Sequence, residues 1–252
     1  MGAKVNTAAA GTANWVDERT SIGSFVKYFA RKLFPDHWSF MLGEIALYSF
    51  LVLILTGIFL TAFFVPSMDI VHYEGTFETM HGVEMSKAFE STLVTSFQVP
   101  GGMLIRQMHH WSALLFTAAI VTHMARVFFT GAFRKPREIN WLVGFTLMIM
   151  SLAAGFTGYS LPDDVLSGNG LRIIDGVVKS IPIIGTYISY WLFGGEFPGE
   201  VLIPRMFTAH ILLVPGLILG LVAVHLFLVF LHKHTQYPGG GRKDTNVVGL
   251  PL

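Results

Sequence analysis

The chain of 252 residues contains no cysteine. That excludes disulfides, thiolate-held iron–sulfur clusters and covalently attached c-type haem. Charge is scarce as well: 13% of residues are charged, where a soluble domain carries about 25%. The net charge of +1 gives no basic excess to recommend a nucleic-acid partner. Hydrophobic residues make up 52% of the chain and the mean hydropathy is +0.58, the composition of a membrane protein. The first long apolar run begins near residue 39, too far along for a signal peptide, and is expected to remain as a membrane anchor. Residues 1–18, rich in Ala, Thr and Gly, are expected to be mobile. No internal repeat stands out, and no low-complexity tract follows that tail.

Four segments are long enough to span a bilayer, which takes about 20 residues. They run approximately over 40–65, 104–130, 140–160 and 206–231, with Pro66, Pro136 and Pro162 at the junctions. The fold class expected is therefore an all-α membrane protein: a four-helix transmembrane bundle with short surface helices. Ahead of the first span, Ile22, Phe25, Val26, Phe29 and Leu33 recur at helical spacing beside Lys27, Arg31 and Lys32. This predicts an amphipathic helix over 19–36, lying on the membrane surface or packed on a partner subunit. The bundle domain then covers 37–238, with a C-terminal tail over 239–252.

Loop charge predicts the orientation. The 130–139 loop carries Arg134, Lys135 and Arg137 against Glu138, and the tail carries Lys233, Arg242 and Lys243 against Asp244. The 66–103 segment carries Asp69, Glu74, Glu78, Glu84 and Glu90 against Lys87 alone. By the positive-inside rule both termini are cytoplasmic, and 66–103 and 161–204 face outward, each with room for short helices.

Two of the spans carry paired histidines. His109 and His123 are 14 positions apart, and His210 and His225 are 15 apart. At 1.5 Å per residue both intervals rise by about 21–23 Å. At 100° per residue, 14 steps leave the second ring about 40° off the first, and 15 steps about 60° off on the other side. Each helix thus offers two imidazoles on one face at matching heights, the arrangement that clamps two flat metal cofactors one above the other. A lone intramembrane histidine reads most simply as a helix–helix hydrogen-bonding group, but ionisable groups in hydrocarbon are rare and usually functional.

Neighbouring histidines fit less well. From His110 to His123 is 13 steps, a rotation of about 140°, and His232 lies about 33 Å from His210 by helical rise. Pro215, between His210 and His225, is expected to kink the helix and re-aim one ring. Gly43 and Gly57, and Gly144 and Gly158, are each 14 apart. They suit either close helix packing or room for a porphyrin edge at each level. Arg106 precedes His109 by three residues, Arg126 follows His123 by three, and Arg205 precedes His210 by five. Each is a candidate partner for a haem propionate or an interfacial anchor.

These stretches resemble the cytochrome b family of quinol–cytochrome c reductases. The likeness is carried by Ser39–Gly57 (SFMLGEIALYSFLVLILTG), the RQMHHW start of Arg106–Arg126, Gly158–Pro162 (GYSLP), Ile181–Gly195 (IPIIGTYISYWLFGG) and Arg205–His225. It covers most of residues 37–238, and FFTGAFRKPREINW, GYSLPDD and KHTQYPG look most like the actinobacterial branch. The resemblance implies two non-covalent b-type haems with bis-histidine ligation. His109 and His210 would hold the low-potential haem near the outer face, and His123 and His225 the high-potential haem near the cytoplasm. Gly43, Gly57, Gly144 and Gly158 would be the haem-packing glycines, and Tyr159, Asp163, Asp164 and Gly168 would border the quinol pocket.

The function so implied is electron transfer in a bacterial cell-membrane cytochrome bc1 complex, with quinol, most simply menaquinol, oxidised outside and quinone reduced inside. Partners would be a Rieske iron–sulfur protein, a c-type cytochrome subunit, a terminal oxidase and lipid, in a dimeric complex. A full family member continues with about four more spans and a Pro-Glu-Trp-Tyr-type motif. Their absence here implies a split protein with a separate C-terminal half, or a fragment. A di-haem membrane anchor of another oxidoreductase and a haem-free transporter bundle are the competing readings.

Overall fold

A computed structural model describes residues 2–23, 26, 38–197 and 199–235. Contacts divide the chain into two units, 1–40 with 233–252, and 41–232. In the first unit, helix α1 runs Gly2–Thr20. Its alanines suit a helix because they lose no side-chain entropy there. The amphipathic helix expected over 19–36 lies mostly outside the described residues, as does the 239–252 tail.

The second unit contains the bundle. Helix α2 spans Met41–Thr61 and follows a short 3₁₀ turn, Trp38–Phe40. Strands β1 (Ile70–His72) and β2 (Glu84–Ser86) pair antiparallel, with Val71 opposite Met85. Helix α3 covers Lys87–Phe97, α4 Gly102–Phe129 and α5 Glu138–Ser160. Helices α6 (Val165–Lys179) and α7 (Gly185–Phe193) lie in the connection to the last span. That span opens as α8 (Leu202–Thr208), passes through a π turn at Ala209–Leu213 and continues as α9 (Val214–His232).

Four stretches are long and apolar enough to cross a membrane: Trp38–Thr61, Gly102–Phe129, Glu138–Ser160 and Leu202–His232. These agree with the expected spans to within four residues at each end. Leu55, Ile58, Trp111, Leu142, Leu212 and Phe227 point outward from them, exposed to what would be lipid. Backbone amides in hydrocarbon must bond internally, which is why each span is helical throughout. The β1–β2 ribbon was not expected. It sits in the acidic 66–103 segment around a small core of Tyr73, Met85 and Leu93, and Tyr73 Oη accepts a hydrogen bond from the Phe77 amide at 3.2 Å.

The bundle packs in two halves, α2 against α4 and α5 against α9. They meet in a buried apolar layer of Ala46, Phe50, Phe116, Ala119, Val214 and Ile218. A second core, Leu171, Phe193, Leu202 and Met206, fixes α6 and α7 onto the start of the last span.

Candidate cofactor site

The helices bring the four histidines together as two pairs. His109 on α4 faces His210 in the π turn, ring centroids 6.2 Å apart and planes at 74°. His123 on α4 faces His225 on α9, at 6.4 Å and 82°. A metal–imidazole bond is about 2.0–2.1 Å and the nitrogen lies ~1.1 Å from its ring centre, so two rings sharing one metal sit about 6.3 Å apart. Both pairs have that separation, and helical rise along α4 sets the two levels about 21 Å apart.

Two imidazoles per level are too few donors for a bare tetrahedral or octahedral ion. They are the number that a porphyrin-bound iron leaves open on its two faces. Among the described residues, no group of three or more His, Cys, Asp or Glu gathers to hold a metal ion by itself.

The four glycines each lie against one of these rings. A Cβ at Gly43 would stand 3.3 Å from His123 Cε1, at Gly57 3.4 Å from His109 Cε1, and at Gly144 3.5 Å from His225 Cε1. At Gly158 it would overlap His210 Cε1 and lie 2.9 Å from Nδ1. The 14-residue glycine interval thus matches the histidine interval because each glycine makes room for a histidine ring on the helix beside it. Gly43 and Gly57 of α2 serve α4, and Gly144 and Gly158 of α5 serve the last span.

This correspondence exposes an internal repeat that composition and motif did not reveal. The pairs 43/144, 57/158 and 109/210 are each offset by 101 positions, whereas 123/225 is offset by 102. The π turn accounts for the extra residue: it holds one more residue per turn than an α-helix. Fifteen residues from His210 therefore advance the helix as 14 do on α4, and the ring at 225 returns to the matching side. Near Pro215, where a kink is expected, the helix carries this π turn, which ends two residues before the proline. A proline ring clashes with the carbonyl four residues back, here at Ile211 inside the wider turn.

Hydrogen bonds orient the rings of the His109–His210 pair. The Thr56 hydroxyl donates to the Val52 carbonyl at 2.6 Å, and the same oxygen lies 2.9 Å from His109 Nδ1. His210 Nδ1 lies 3.0 Å from the Ala154 carbonyl and 3.3 Å from Thr157 Oγ1. Thr56 and Thr157 were missed in the sequence. The signal for them was the Thr-Gly dipeptide at 56–57, repeated at 157–158 with the same 101-residue offset.

The arginines have separate surroundings. Arg106 Nη1 donates to Ser96 Oγ at 3.2 Å, and Asp164 lies within electrostatic reach of it. Arg126 is half-buried in the last turn of α4. Arg205 Nη1 donates to the Trp191 carbonyl at 2.7 Å, tying α8 to the C-terminal turn of α7. His110 is exposed beside Trp111, and the His232 carbonyl accepts from Arg137 Nη2 at 3.1 Å.

In the 161–204 segment, Asp164 accepts from the Ser167 amide at 2.8 Å and so starts α6. Asp163 has a left-handed φ of 51° and its carboxyl is hydrogen-bonded with Ser86. Burial, then the nearby charge of Asp164, push the Asp163 carboxyl above the usual range against that bond. Tyr159 packs near Gly170, while Gly168 borders open space.

A membrane-spanning helical bundle that presents paired imidazoles at two depths, each ring backed by a glycine, has the architecture of a b-type cytochrome. Comparison with known proteins agrees. A family model described as "Cytochrome b(N-terminal)/b6/petB" matches residues 114–252, and the chain belongs to that family, which implies haem b as its prosthetic group. Over 95% of its length the chain is 59% identical to the cytochrome bc1 complex cytochrome b subunit of Streptomyces coelicolor, covering 44% of that protein. It is 54% identical to the subunit of the same name from Corynebacterium diphtheriae, over 95% of this chain and 44% of the relative. With the Mycobacterium tuberculosis subunit it shares 53% over 98% of this chain and 45% of the relative. The chain thus spans under half the length of these relatives. Among solved structures it is similar to a chain of a hyperthermophilic respiratory Complex III, with a TM-score of 0.76 and 25% identity over 94% of this chain and 60% of that one.

Proposed function

We propose that the chain carries electrons across a bacterial cell membrane within a quinol–cytochrome c reductase, coupling quinol oxidation at the outer face to quinone reduction at the cytoplasmic face. The carrying observation is the matched pair of imidazole couples, 6.2 and 6.4 Å between centroids, at two depths of one bundle. Two b-type haems would supply the one-electron chemistry, one between His109 and His210 and the other between His123 and His225.

The chain's own part is to hold and tune those sites. Gly43, Gly57, Gly144 and Gly158 let the helices close onto the rings. Arg106 and Arg126 stand at the outer and inner levels, where a guanidinium suits a propionate carboxylate. The apolar layer around Phe50 and Phe116 keeps water from the space between the levels. Acidic 66–103 and basic 130–139 favour the orientation with both termini in the cytoplasm.

Tyr159, Asp163, Asp164 and Gly168 border the outer quinol pocket in this reading, with menaquinol as the substrate. A Rieske iron–sulfur protein takes one quinol electron and passes it to a c-type cytochrome. The C-terminal half of a full-length cytochrome b completes the quinone sites, in a dimeric complex with lipid and a terminal oxidase. The names of the relatives favour this assembly over a membrane anchor for another oxidoreductase.

A reduced-minus-oxidised spectrum of the chain in membranes tests the reading. Two b-type components are expected, one lost in His109→Leu and His210→Leu, the other in His123→Leu and His225→Leu. A chain with no b-type band, or one losing both components equally in every variant, would not be this carrier.

A further inference from the structure

The two imidazole levels differ in what stands beside the glycines. At the outer level the residue before each glycine is threonine, Thr56 before Gly57 and Thr157 before Gly158; at the inner level Leu42 precedes Gly43 and Val143 precedes Gly144. Both threonines are buried, at 5% and 8% exposure. A hydroxyl has one proton to give. Thr56 gives its proton to the Val52 carbonyl at 2.6 Å, and Thr157 to the Ala153 carbonyl at 2.9 Å. Each Oγ1 is then left as an acceptor toward the histidine Nδ1, at 2.9 Å for His109 and 3.3 Å for His210. The Ala154 carbonyl, 3.0 Å from His210 Nδ1, can only accept, which independently requires the proton on Nδ1. Both outer rings therefore carry Nδ1–H and keep the Nε2 lone pair for a metal.

From this we infer that Thr56 and Thr157 are positioning residues that lock the tautomer of the outer histidines and lower the reduction potential of the cofactor held there. An imidazole that donates its second N–H is a more basic ligand, and a more basic axial ligand favours the oxidised metal. At His210 the Ala154 carbonyl shares this bond. The hydroxyls are the component that side-chain substitution can remove. The inference rests on the di-haem reading above.

The test is a spectroelectrochemical titration of the complex in membranes, with the outer component identified as the one absent from His109→Leu. Thr56→Val and Thr157→Val keep the side-chain shape and remove the hydroxyl. Each is expected to raise the outer midpoint, and the double variant to shift the oxidised-to-reduced preference about tenfold, which is about 59 mV for a one-electron couple. The inner midpoint stays where it was, and Thr56→Ser and Thr157→Ser, which retain the hydroxyl, leave the outer midpoint near the parent value.

If the valine variants lose the outer component while the serine variants keep it at the parent potential, the hydroxyls are required to hold the ring and the inference stands. An outer midpoint unmoved by both valine variants overturns it, and so does a serine shift as large as the valine one or an equal shift of the inner component. A parent chain with no b-type component would instead sink the di-haem reading itself, which separates the two failures.

Discussion

Gly158 lies so close beneath His210 that a methyl group on its Cα would overlap the ring at Cε1 and stand 2.9 Å from Nδ1. Gly144, its partner on the same helix, would bring a methyl group only into ordinary contact with His225, at 3.5 Å. The same substitution should therefore act differently at the two levels. On the proposed di-haem reading, Gly158→Ala is expected to displace His210 and abolish the b-type component held there, whereas Gly144→Ala leaves both components present. Difference spectra of the two variants in membranes check this, and equal tolerance at both sites would contradict it.

Phe50 and Phe116 stack at 5.5 Å between centroids with planes 22° apart, each seven residues from the glycine or histidine of either level. Both are buried within the central apolar layer. Phe116→Ala would open a cavity there. In soluble cores Phe→Ala costs about 3–5 kcal/mol. In lipid the hydrophobic driving force between helices is absent, so the packing loss alone applies and the cost falls at the lower end of that range. Thermal denaturation followed by loss of helical signal should show a lower midpoint for Phe116→Ala. Exposed Leu115→Ala on the same helix should cost little by comparison.

Asp163 holds a left-handed backbone at φ 51° and a carboxyl whose pKa is raised, first by burial and then by the charge of Asp164. An acid with a raised folded-state pKa adds stability at pH below its unfolded value, and that contribution is lost as pH rises through the folded value. At neutral pH the charged form is therefore a burden. Asn tolerates the left-handed region well and carries no charge. Asp163→Asn is expected to raise the thermal midpoint at pH 7, with the gain disappearing below about pH 4. A gain independent of pH would assign the effect to the backbone alone.

Asp175 in α6 is buried between Lys179, whose Nζ donates to it at 2.7 Å, and Ser189 of α7, whose hydroxyl donates at 2.5 Å. Burial opposes its charge, but these two bonds and the Lys179 charge outweigh burial and hold the carboxyl below the usual range. Such a group stabilises the fold above its unfolded pKa of about 3.9, and the contribution is lost as pH falls through the folded value. Asp175→Asn should loosen α6 from α7 at pH 7, by about 1–3 kcal/mol. Hydrogen exchange over residues 165–193 is the measurement, and the difference from the parent chain should shrink in acid. Unchanged exchange at pH 7 would mean that this contact does not fix the two helices.

Much of the site was legible because it depends on local, periodic properties. Twenty apolar residues in a row specify a span, and 100° per residue specifies which histidines share a face, so His110 and His232 were separable from the four that pair. The glycine interval was also legible, although its purpose was not. Spacing alone did not distinguish room for a porphyrin edge from room for an imidazole, and it is packing between neighbouring helices that puts each glycine under a ring. The threonines escaped notice because a hydroxyl in a helix usually bonds its own backbone, as both of these do. Their second contact crosses to another helix.

The amino-acid order by itself determined four helical spans, the residues that face inward on them and the near-equal heights of the two histidine pairs, since hydrophobicity and helical rise are properties of one segment. Only the tertiary structure decided that His109 meets His210 and His123 meets His225, that a π turn takes up the fifteenth residue, and that a ribbon forms in the acidic 66–103 segment, which has no long apolar run. Those outcomes depend on how closely two backbones approach and how each helix is rotated against its neighbour. For the histidines, both are set by glycine–histidine contacts between residues 52 to 81 positions apart and by ring pairs 101 and 102 apart, beyond the reach of any periodicity within a single helix.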